Sequence, residues 1–317
     1  MSSRVAVALV THRSAEHLPA CLASVAEGLA GRPARLVIVD NASTDGTPAL
    51  ARALAHDTLG QDALVIENRE NRGYGAALNQ ALAATDEPIA ILANPDTVFG
   101  PGSLDRLASF LEASPRHALA GPRLTGADAI GAASARGFPS VALEACELLF
   151  GHRIWPENPL HRRYLRTDLP PGQSAPADTD WLVGACLAAR RDALAAVGGF
   201  DEAYHLYFEE VDLAFRLARA GHACAYLPEA VVAHTGGGSR DRGELERVFV
   251  RSQRRYFERT QGRAAVAALR AVQVVGNAYR LALYAVRCAL VPRSRPRLSA
   301  GAARARRDLS RALEIMD

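Results

Sequence analysis

The amino-acid sequence predicts an α/β protein built on a mostly parallel sheet with helices on both faces. Three observations carry this reading. Short apolar runs recur through the first hundred residues, each is followed by turn residues and a helix-period pattern, and the polar clusters fall where the runs end. Alternating strands and helices bury a sheet on both faces, and such sheets receive ligands at the carboxyl ends of their strands. The first strand is set at 5–10, closed by Thr11-His12-Arg13, with a helix over 15–28. The second, 36–40, ends on Asp40-Asn41 and turns through Ser43, Asp45 and Gly46 into a helix over 48–56. The third, 63–67, runs into the stretch from Asn68 to Arg72 and a helix over 74–84. The fourth, 89–93, ends on Asn94-Pro95-Asp96 ahead of a helix over 103–112.

Residues 137–180 break the rhythm. Pro139, Pro159, Pro170 and Pro176 interrupt long elements, and His161, Arg162, Arg163 and Arg166 make the stretch basic, so it reads as an irregular functional insertion. Order returns with a strand over 181–190, a helix over 208–220 and short strands at 223–227 and 231–234. Beyond Gly243 the pattern is helical. Over 264–290 the polar residues Arg270, Gln273, Asn277, Arg280, Tyr284 and Arg287 recur at steps of three and four, which describes an amphipathic helix with a broad apolar face. Two domains are expected: an α/β domain over 1–242 that contains the 137–180 insertion, and a helical, amphipathic extension over 243–317.

Composition narrows the classes. A formal charge of +3 lacks the basic footprint of a nucleic-acid binder, so no nucleic-acid partner is expected. All 37 basic residues are Arg, which a coding bias explains, and every one can make forked contacts to phosphate that Lys cannot. The five cysteines, Cys21, Cys146, Cys186, Cys224 and Cys288, are scattered and odd in number. They predict buried thiols in a cytoplasmic setting rather than a disulfide framework. Neither a secretory leader nor a membrane-spanning run is expected.

Four motifs carry chemistry. Asp40 ends a strand where it could accept hydrogen bonds from the edge of a pyrimidine base, with Asn41 and Ser43 beside it. A turn in which Asp45 or Thr47 caps the next helix accounts for the same residues. Gly73 and Gly75 precede a helix, with Asn71 and Arg72 ahead of them. That arrangement lets backbone N–H groups approach a phosphate, or makes a tight turn without a ligand. Asn94 and Asp96 follow the fourth strand, where a carboxylate-held Mg²⁺ or Mn²⁺ would neutralise a departing diphosphate. His234, just ahead of Gly236-Gly237-Gly238-Ser239, would supply a second metal ligand, with phosphates and water completing the site; a surface or core histidine is the alternative. In the helix from Phe208, a 100° step places Glu209, Asp212, Arg216 and Arg219 on one polar arc and Glu210 among Leu213, Ala214 and Leu217. A carboxylate so placed is either bonded to nearby backbone or Arg, or employed as a general base.

In this order and spacing, the motifs resemble a family 2 glycosyltransferase of the GT-A fold, most closely its bacterial rhamnosyltransferase-like branch. The resemblance runs from Val5 to about Ser239 through Thr11, VDNASTDGT from Val39, ENRGYGAALN from Glu70, NPDT from Asn94, GACLAARRDALAAVGGFDEAYHLYFEEVDLAFRLARAGH from Gly184, and His234. It implies inverting transfer of a sugar from a nucleotide-diphosphate donor to a hydroxyl. It further implies nucleotide contacts at Thr11, Asp40 and Arg72, with Arg13, Asn41, Ser43, Asn71, Gly73 and Asn94 along the same rim. Trp181 and Gly184 lie where such enzymes shape the sugar and acceptor pocket. Asp96 and His234 would hold Mg²⁺ or Mn²⁺, and Glu210 would be the base. Glu209 is the alternative, because the family carries a Glu-Asp pair here. The metal motif departs from Asp-x-Asp, with Asn94 in place of the first carboxylate.

The same likeness gives dTDP-L-rhamnose as the donor, a UDP-sugar such as UDP-galactose, UDP-galactofuranose or UDP-GlcNAc as the alternative, and a glycan or polyprenyl-linked acceptor in bacterial cell-surface polysaccharide synthesis. A nucleotidyltransferase would want a Gly-rich, Lys-bearing triphosphate signature, which is absent, and a non-catalytic binding module would not need Glu210. The 137–180 insertion falls on the acceptor side. The C-terminal helix is expected either at the inner face of the plasma membrane, as a peripheral contact, or packed on the catalytic domain or on a second subunit in a homodimer.

Overall fold

The computed structural model describes residues 2–126, 134–149, 155, 157–170, 172–236, 242–290 and 295–314. The first half follows the predicted alternation: β1 (Val5–Thr11), α1 (Leu18–Leu29), β2 (Ala34–Asp40), α2 (Thr47–Leu59), β3 (Ala63–Glu67), α3 (Tyr74–Ala83), β4 (Ile89–Ala93), β5 (Thr97–Phe99) and α4 (Ser103–Ala113). Then come β6 (His117–Thr125), β7 (Ala135–Arg136), α5 (Val141–Leu149), α6 (Pro159–Leu165), β8 (Ala177–Thr179), β9 (Trp181–Leu182), β10 (Cys186–Arg190), α7 (Arg191–Ala196), α8 (Glu209–Arg219) and β11 (Ala223–His234). Three helices complete the described chain: α9 (Arg242–Gln261), α10 (Arg263–Leu290) and α11 (Arg295–Glu314).

The main sheet runs β3-β2-β1-β4-β10-β6-β11-β5, with β8 added against β11. β3, β2, β1 and β4 are parallel, as predicted, and β10 enters antiparallel between β4 and β6. β1 is buried along its whole length, and Leu9, Leu36, Ile38 and Ile91 sit in a core closed by Leu18, Val25, Leu104 and Leu107 from α1 and α4. A strand buried on both faces reads as a continuous apolar run, which is why β1, β2 and β4 are legible in sequence; β3, at the sheet edge, is only half-buried.

Several expectations need correction. The strand placed at 181–190 is two strands: β9 pairs with β7, and β10 lies in the main sheet. The two short strands at 223–227 and 231–234 are one, β11, with a register break between Leu227 and Val231. β6 was not anticipated, because Gly121 and Pro122 interrupt its pattern; the bulge in β11 falls where Leu227 pairs with Pro122, and strand prolines are confined to edges and bulges. The 137–180 insertion is not wholly irregular, since it contains α5 and α6.

By their contacts the described residues form two compact units, Met1–Phe138 with Leu165–Gln253, and Pro139–Tyr164 with Arg254–Asp317. This grouping does not coincide with a break after residue 242: the first part of the insertion belongs with the C-terminal helices. Within that unit α10 packs on α5 and α11, and Gly276 allows the close approach, since a Cβ there would come 2.6 Å from Leu148 Cβ.

Candidate active site

Two clusters form at the carboxyl ends of the parallel strands. The first is a cradle at the ends of β1, β2 and β3. Thr11 Oγ1 donates to Asp40 Oδ1 at 2.9 Å, and Ser43 donates to the same carboxylate twice, from N (2.9 Å) and Oγ (2.6 Å). Asn41 is the second hub: its Nδ2 donates to Asn71 Oδ1 (2.9 Å) and Gly73 O (3.1 Å), while its Oδ1 accepts from Asn68 Nδ2 and Arg72 N. Thr11, Asp40 and Asn41 are therefore buried and hold the loops, whereas Arg13, Asn71 and Arg72 are the exposed rim. Ser43 is partly exposed. Its Oγ also accepts from Arg13 N, which fixes Arg13 in the left-handed region at φ 53°. Asp45 does not cap α2 as its first residue outside the helix; it accepts from Thr47 N and Oγ1 in a local turn.

Gly73 is required by its surroundings. Its φ is +90°, and a Cβ would lie 2.8 Å from His205 O, which instead accepts a hydrogen bond from Tyr74 N. The motif at the start of α3 is thus tied to the segment that leads into α8.

The second cluster joins β4, β5, β10, β11 and α8. Register pairing of His234 with Thr97 brings the end of β11 beside the turn after β4, and His234 Nε2 stands 3.3 Å from Asp96 Oδ2. Asp96 Oδ1 is buried and has no hydrogen-bond partner. Burial pushes the Asp96 carboxyl up, but the hydrogen bond and charge of His234 outweigh this and hold it below its ordinary value. A metal-binding carboxylate needs such an ionised form with an uncommitted oxygen. Among the described residues no group of three or more His, Cys, Asp and Glu could hold a metal; a Mg²⁺-type site, however, needs only one or two protein ligands when phosphates supply the rest. Asp96 and His234 fit that requirement. Gly237, Gly238 and Ser239 lie outside the described residues.

Asn94 N donates to Ala185 O at 2.9 Å, which links this turn to the start of β10. Tyr74 OH donates to Gly184 O at 3.3 Å, and the Gly184 backbone N–H in turn hydrogen-bonds Glu210. Gly184 leaves room for that carboxylate, whose Cδ and Oε1 lie 3.6 Å from the position of a Cβ. The buried Tyr74 hydroxyl is pushed well above its ordinary value, by burial first and then by the charges of Glu209, Glu210 and Asp96. Tyr74 thus feels the charge of all three carboxylates, a role not read from its place in ENRGYGAALN. Trp181 is buried, and its indole N–H donates to Gly137 O at 2.7 Å, so it builds the wall behind β9.

The polar arc of α8 turns inward over its first turns, and only Arg219 at its far end is exposed. Glu209 and Asp212 are 4% and 1% exposed. Asp212 is occupied by Arg216 (2.7 Å) and Tyr204 OH (3.4 Å), and Arg216 Nη1 also reaches Val197 O. Glu210, expected on the apolar side, is instead the partly exposed member of the first turn. Helical periodicity gives relative angles but cannot say which arc turns inward. Both Glu209 Oε2 and Glu210 Oε2 lack hydrogen-bond partners. Burial raises Glu210 to about 6, against backbone N–H groups at the helix start that lower it; burial and the neighbouring Glu210 charge raise Glu209 further. Immediately before them, Tyr207 and Phe208 both have φ 68°. Two successive non-glycine residues in this region are costly, and such strain concentrates at functional sites.

A Rossmann-like sheet ending in a polar cradle, an Asp–His pair and two carboxylates that each keep one unpartnered oxygen belongs to an enzyme that works on a nucleotide-linked substrate, and its fold is GT-A. The chain is a member of glycosyl transferase family 2, whose model matches residues 6–167. It is 35% identical over 245 residues to the N-acetylglucosaminyl-diphospho-decaprenol L-rhamnosyltransferase of Mycobacterium tuberculosis, covering 74% of this chain and 76% of that one. It is 24% identical over 220 residues to an O-antigen chain rhamnosyltransferase of Salmonella anatum, with 69% and 61% covered. Among solved structures, a mannosyltransferase of Pyrobaculum calidifontis in complex with GDP-Man and Mn²⁺ superimposes with TM-score 0.58 at 20% identity, covering 99% of this chain and 85% of that one. GalNAc-T7 with UDP, GalNAc and Mn²⁺ gives 0.59 at 14% identity; 83% of this chain matches about half, 51%, of that one. The likeness to these two structures is one of fold. The protein is a glycosyltransferase of family 2.

Proposed function

We propose that the protein transfers L-rhamnose from dTDP-L-rhamnose, with inversion, to a hydroxyl of a polyprenyl-diphosphate-linked sugar, using a divalent metal. The donor and the lipid-linked acceptor follow the rhamnosyltransferase at 35% identity. The chemistry rests on one observation: Glu210, partly exposed and with an unpartnered oxygen, stands at the start of α8, and its charge, like that of Asp96, acts on the Tyr74 hydroxyl. The acceptor hydroxyl gives its proton to Glu210 Oε2 as its oxygen bonds to the anomeric carbon. The bond from that carbon to the diphosphate breaks on the opposite face, and dTDP leaves with the electron pair. Glu210 is poised for this, since a base with a pKa near the working pH is the most effective.

Asp96 and His234 would hold Mg²⁺ or Mn²⁺, which when bound neutralises charge on the departing diphosphate. Buried Thr11 and Asp40, with partly exposed Ser43, position the nucleotide rim, and Arg13 and Arg72 stand ready at its exposed edge. Glu209 is buried and is raised by that burial and by the neighbouring Glu210 charge, which disfavours two adjacent negative charges in the pair. No described helix is long and apolar enough to cross a membrane, and a nucleotide-sugar donor places the reaction on the cytoplasmic side of the bilayer that carries the acceptor.

The test is transfer to a polyprenyl-diphosphate-linked N-acetylglucosamine from dTDP-L-rhamnose, UDP-galactose, UDP-galactofuranose and UDP-GlcNAc in parallel, with the anomeric configuration of the product read by NMR. Rhamnosylation with inversion, abolished by chelator and restored by Mn²⁺, is expected. Transfer from a UDP-sugar and none from dTDP-L-rhamnose would overturn the donor assignment, and retention of configuration would remove Glu210 as a single-step base.

A further inference from the structure

Helix α10 is amphipathic with its polar side turned inward. Asn277 is 3% exposed and donates from Nδ2 to Gln273 O, and Arg270 Nε donates to Ala312 O of α11. Tyr284 lies against Gly301 of the same helix, whose added Cβ would fall 2.7 Å from the ring. The opposite face carries Val275 (60% exposed), Tyr279 (40%), Leu283 (38%) and Val286 (55%), with exposed alanines between them. At 100° per residue these four fall within an arc of about 80°. They form a stripe over 275–286 of this helix of 28 residues, roughly 17 Å long at 1.5 Å per residue.

Contiguous exposed apolar side chains mark interaction surfaces, and charge selects the occupant. From Arg263 to Leu290 the helix contains Arg263, Arg270, Arg280 and Arg287 and not one Asp or Glu. Arg263 and Arg287 are exposed near its two ends, and Arg304, Arg306 and Arg307 are exposed on α11. A second copy meeting this face would bring like charges together with no acidic partner on the helix. An anionic lipid surface supplies both an apolar layer for the stripe and phosphates for the arginines.

We propose that the exposed stripe of α10 lies in the interface of an anionic bilayer, with its flanking arginines on lipid phosphates, and so attaches the enzyme to a membrane surface. This stands on the C-terminal unit alone and does not depend on which sugar is transferred. The test is flotation of the full chain with vesicles of phosphatidylcholine, with and without phosphatidylglycerol, in the absence of donor and acceptor. The chain is expected to float with phosphatidylglycerol vesicles and much less without them. Removing both end charges in Arg263→Gln/Arg287→Gln should weaken binding about fivefold per arginine, and Val275→Glu/Leu283→Glu/Val286→Glu should lower it at least tenfold.

Because all three apolar positions are exposed, the triple variant should keep the wild-type circular dichroism and melting temperature, which separates loss of binding from loss of fold. Failure of the wild-type chain to float, or equal flotation of the triple variant, would overturn the proposal. A wild-type dimer in light scattering that the triple variant converts to monomer would give the stripe to a second copy instead. Because no sugar transfer enters the measurement, its outcome is independent of the donor assignment.

Discussion

Replacing Glu210 by Gln should make the enzyme inactive and, above neutral pH, more stable. Burial moves this carboxyl from 4.5 to about 6. Between those values the folded protein holds a proton that the unfolded chain has lost, so stability falls as pH rises from 4.5 and levels off above 6. At about 1.4 kcal/mol for each pKa unit, the ionised side chain costs the fold roughly 2 kcal/mol on the alkaline side. Gln keeps the shape and removes the charge. Urea unfolding should therefore show Glu210→Gln stabilised by up to about 2 kcal/mol at pH 8, with the difference vanishing near pH 4. In the same variant kcat should drop by about 10²–10⁴, while dTDP-L-rhamnose binding, measured by calorimetry, is unchanged. The wild-type kcat/KM should rise with pH through about 6. A variant that keeps its activity, or whose stability differs from wild type by the same amount at pH 4 and pH 8, would refute the reasoning.

Three further outcomes follow from the geometry. Asp96→Asn removes the charge of the unpartnered Oδ1 site, and His234→Ala removes its neighbour; each should weaken Mn²⁺ binding in the presence of dTDP by more than about tenfold, read by titration calorimetry. Gly73→Ala forces a Cβ to 2.8 Å from His205 O at φ +90° and should cost about 2–4 kcal/mol in urea unfolding. Arg32, with its side chain 1% exposed, bridges Asp105 and Glu112, so Arg32→Met should cost about 3 kcal/mol at pH 7. The hydrogen bond from Arg32 is the main cause that holds Glu112 at about 2. The bridge's contribution is therefore full above pH 4.5 and lost as pH falls toward 2, and the gap between wild type and variant should narrow over that window.

The parallel half of the sheet was legible because β1, β2 and β4 are buried on both faces and announce themselves as apolar runs, and the half-buried edge strand β3 keeps the same Val- and Ile-rich pattern. Asp40, Asn41, Gly73 and Asp96 were legible because turn chemistry at strand ends is local. What was hidden depends on distant partners. β6 carries a glycine and a proline that are tolerated only through the bulge in β11, and a single strand over 181–190 could not be divided without knowing that β9 and β10 pair in different sheets. The inward turn of Glu209 and Asp212, with Arg216 paired to Asp212 inside, was likewise beyond periodicity. The polar stripe of α10 was read correctly as a stripe, yet its orientation came from α5 and α11. Local pattern fixes which residues share a face; only packing decides where the face looks.

The hydrogen bond from Tyr74 to His205 has a mechanical consequence. His205 lies four residues before Glu209, and the intervening Tyr207 and Phe208 leave little slack in the backbone. A shift of the Gly73 turn would be felt, through the bond from Tyr74 N to His205 O, four residues from the acidic pair. The enzyme would then couple loading on one side to readiness on the other, through a taut link of five residues rather than a moving domain.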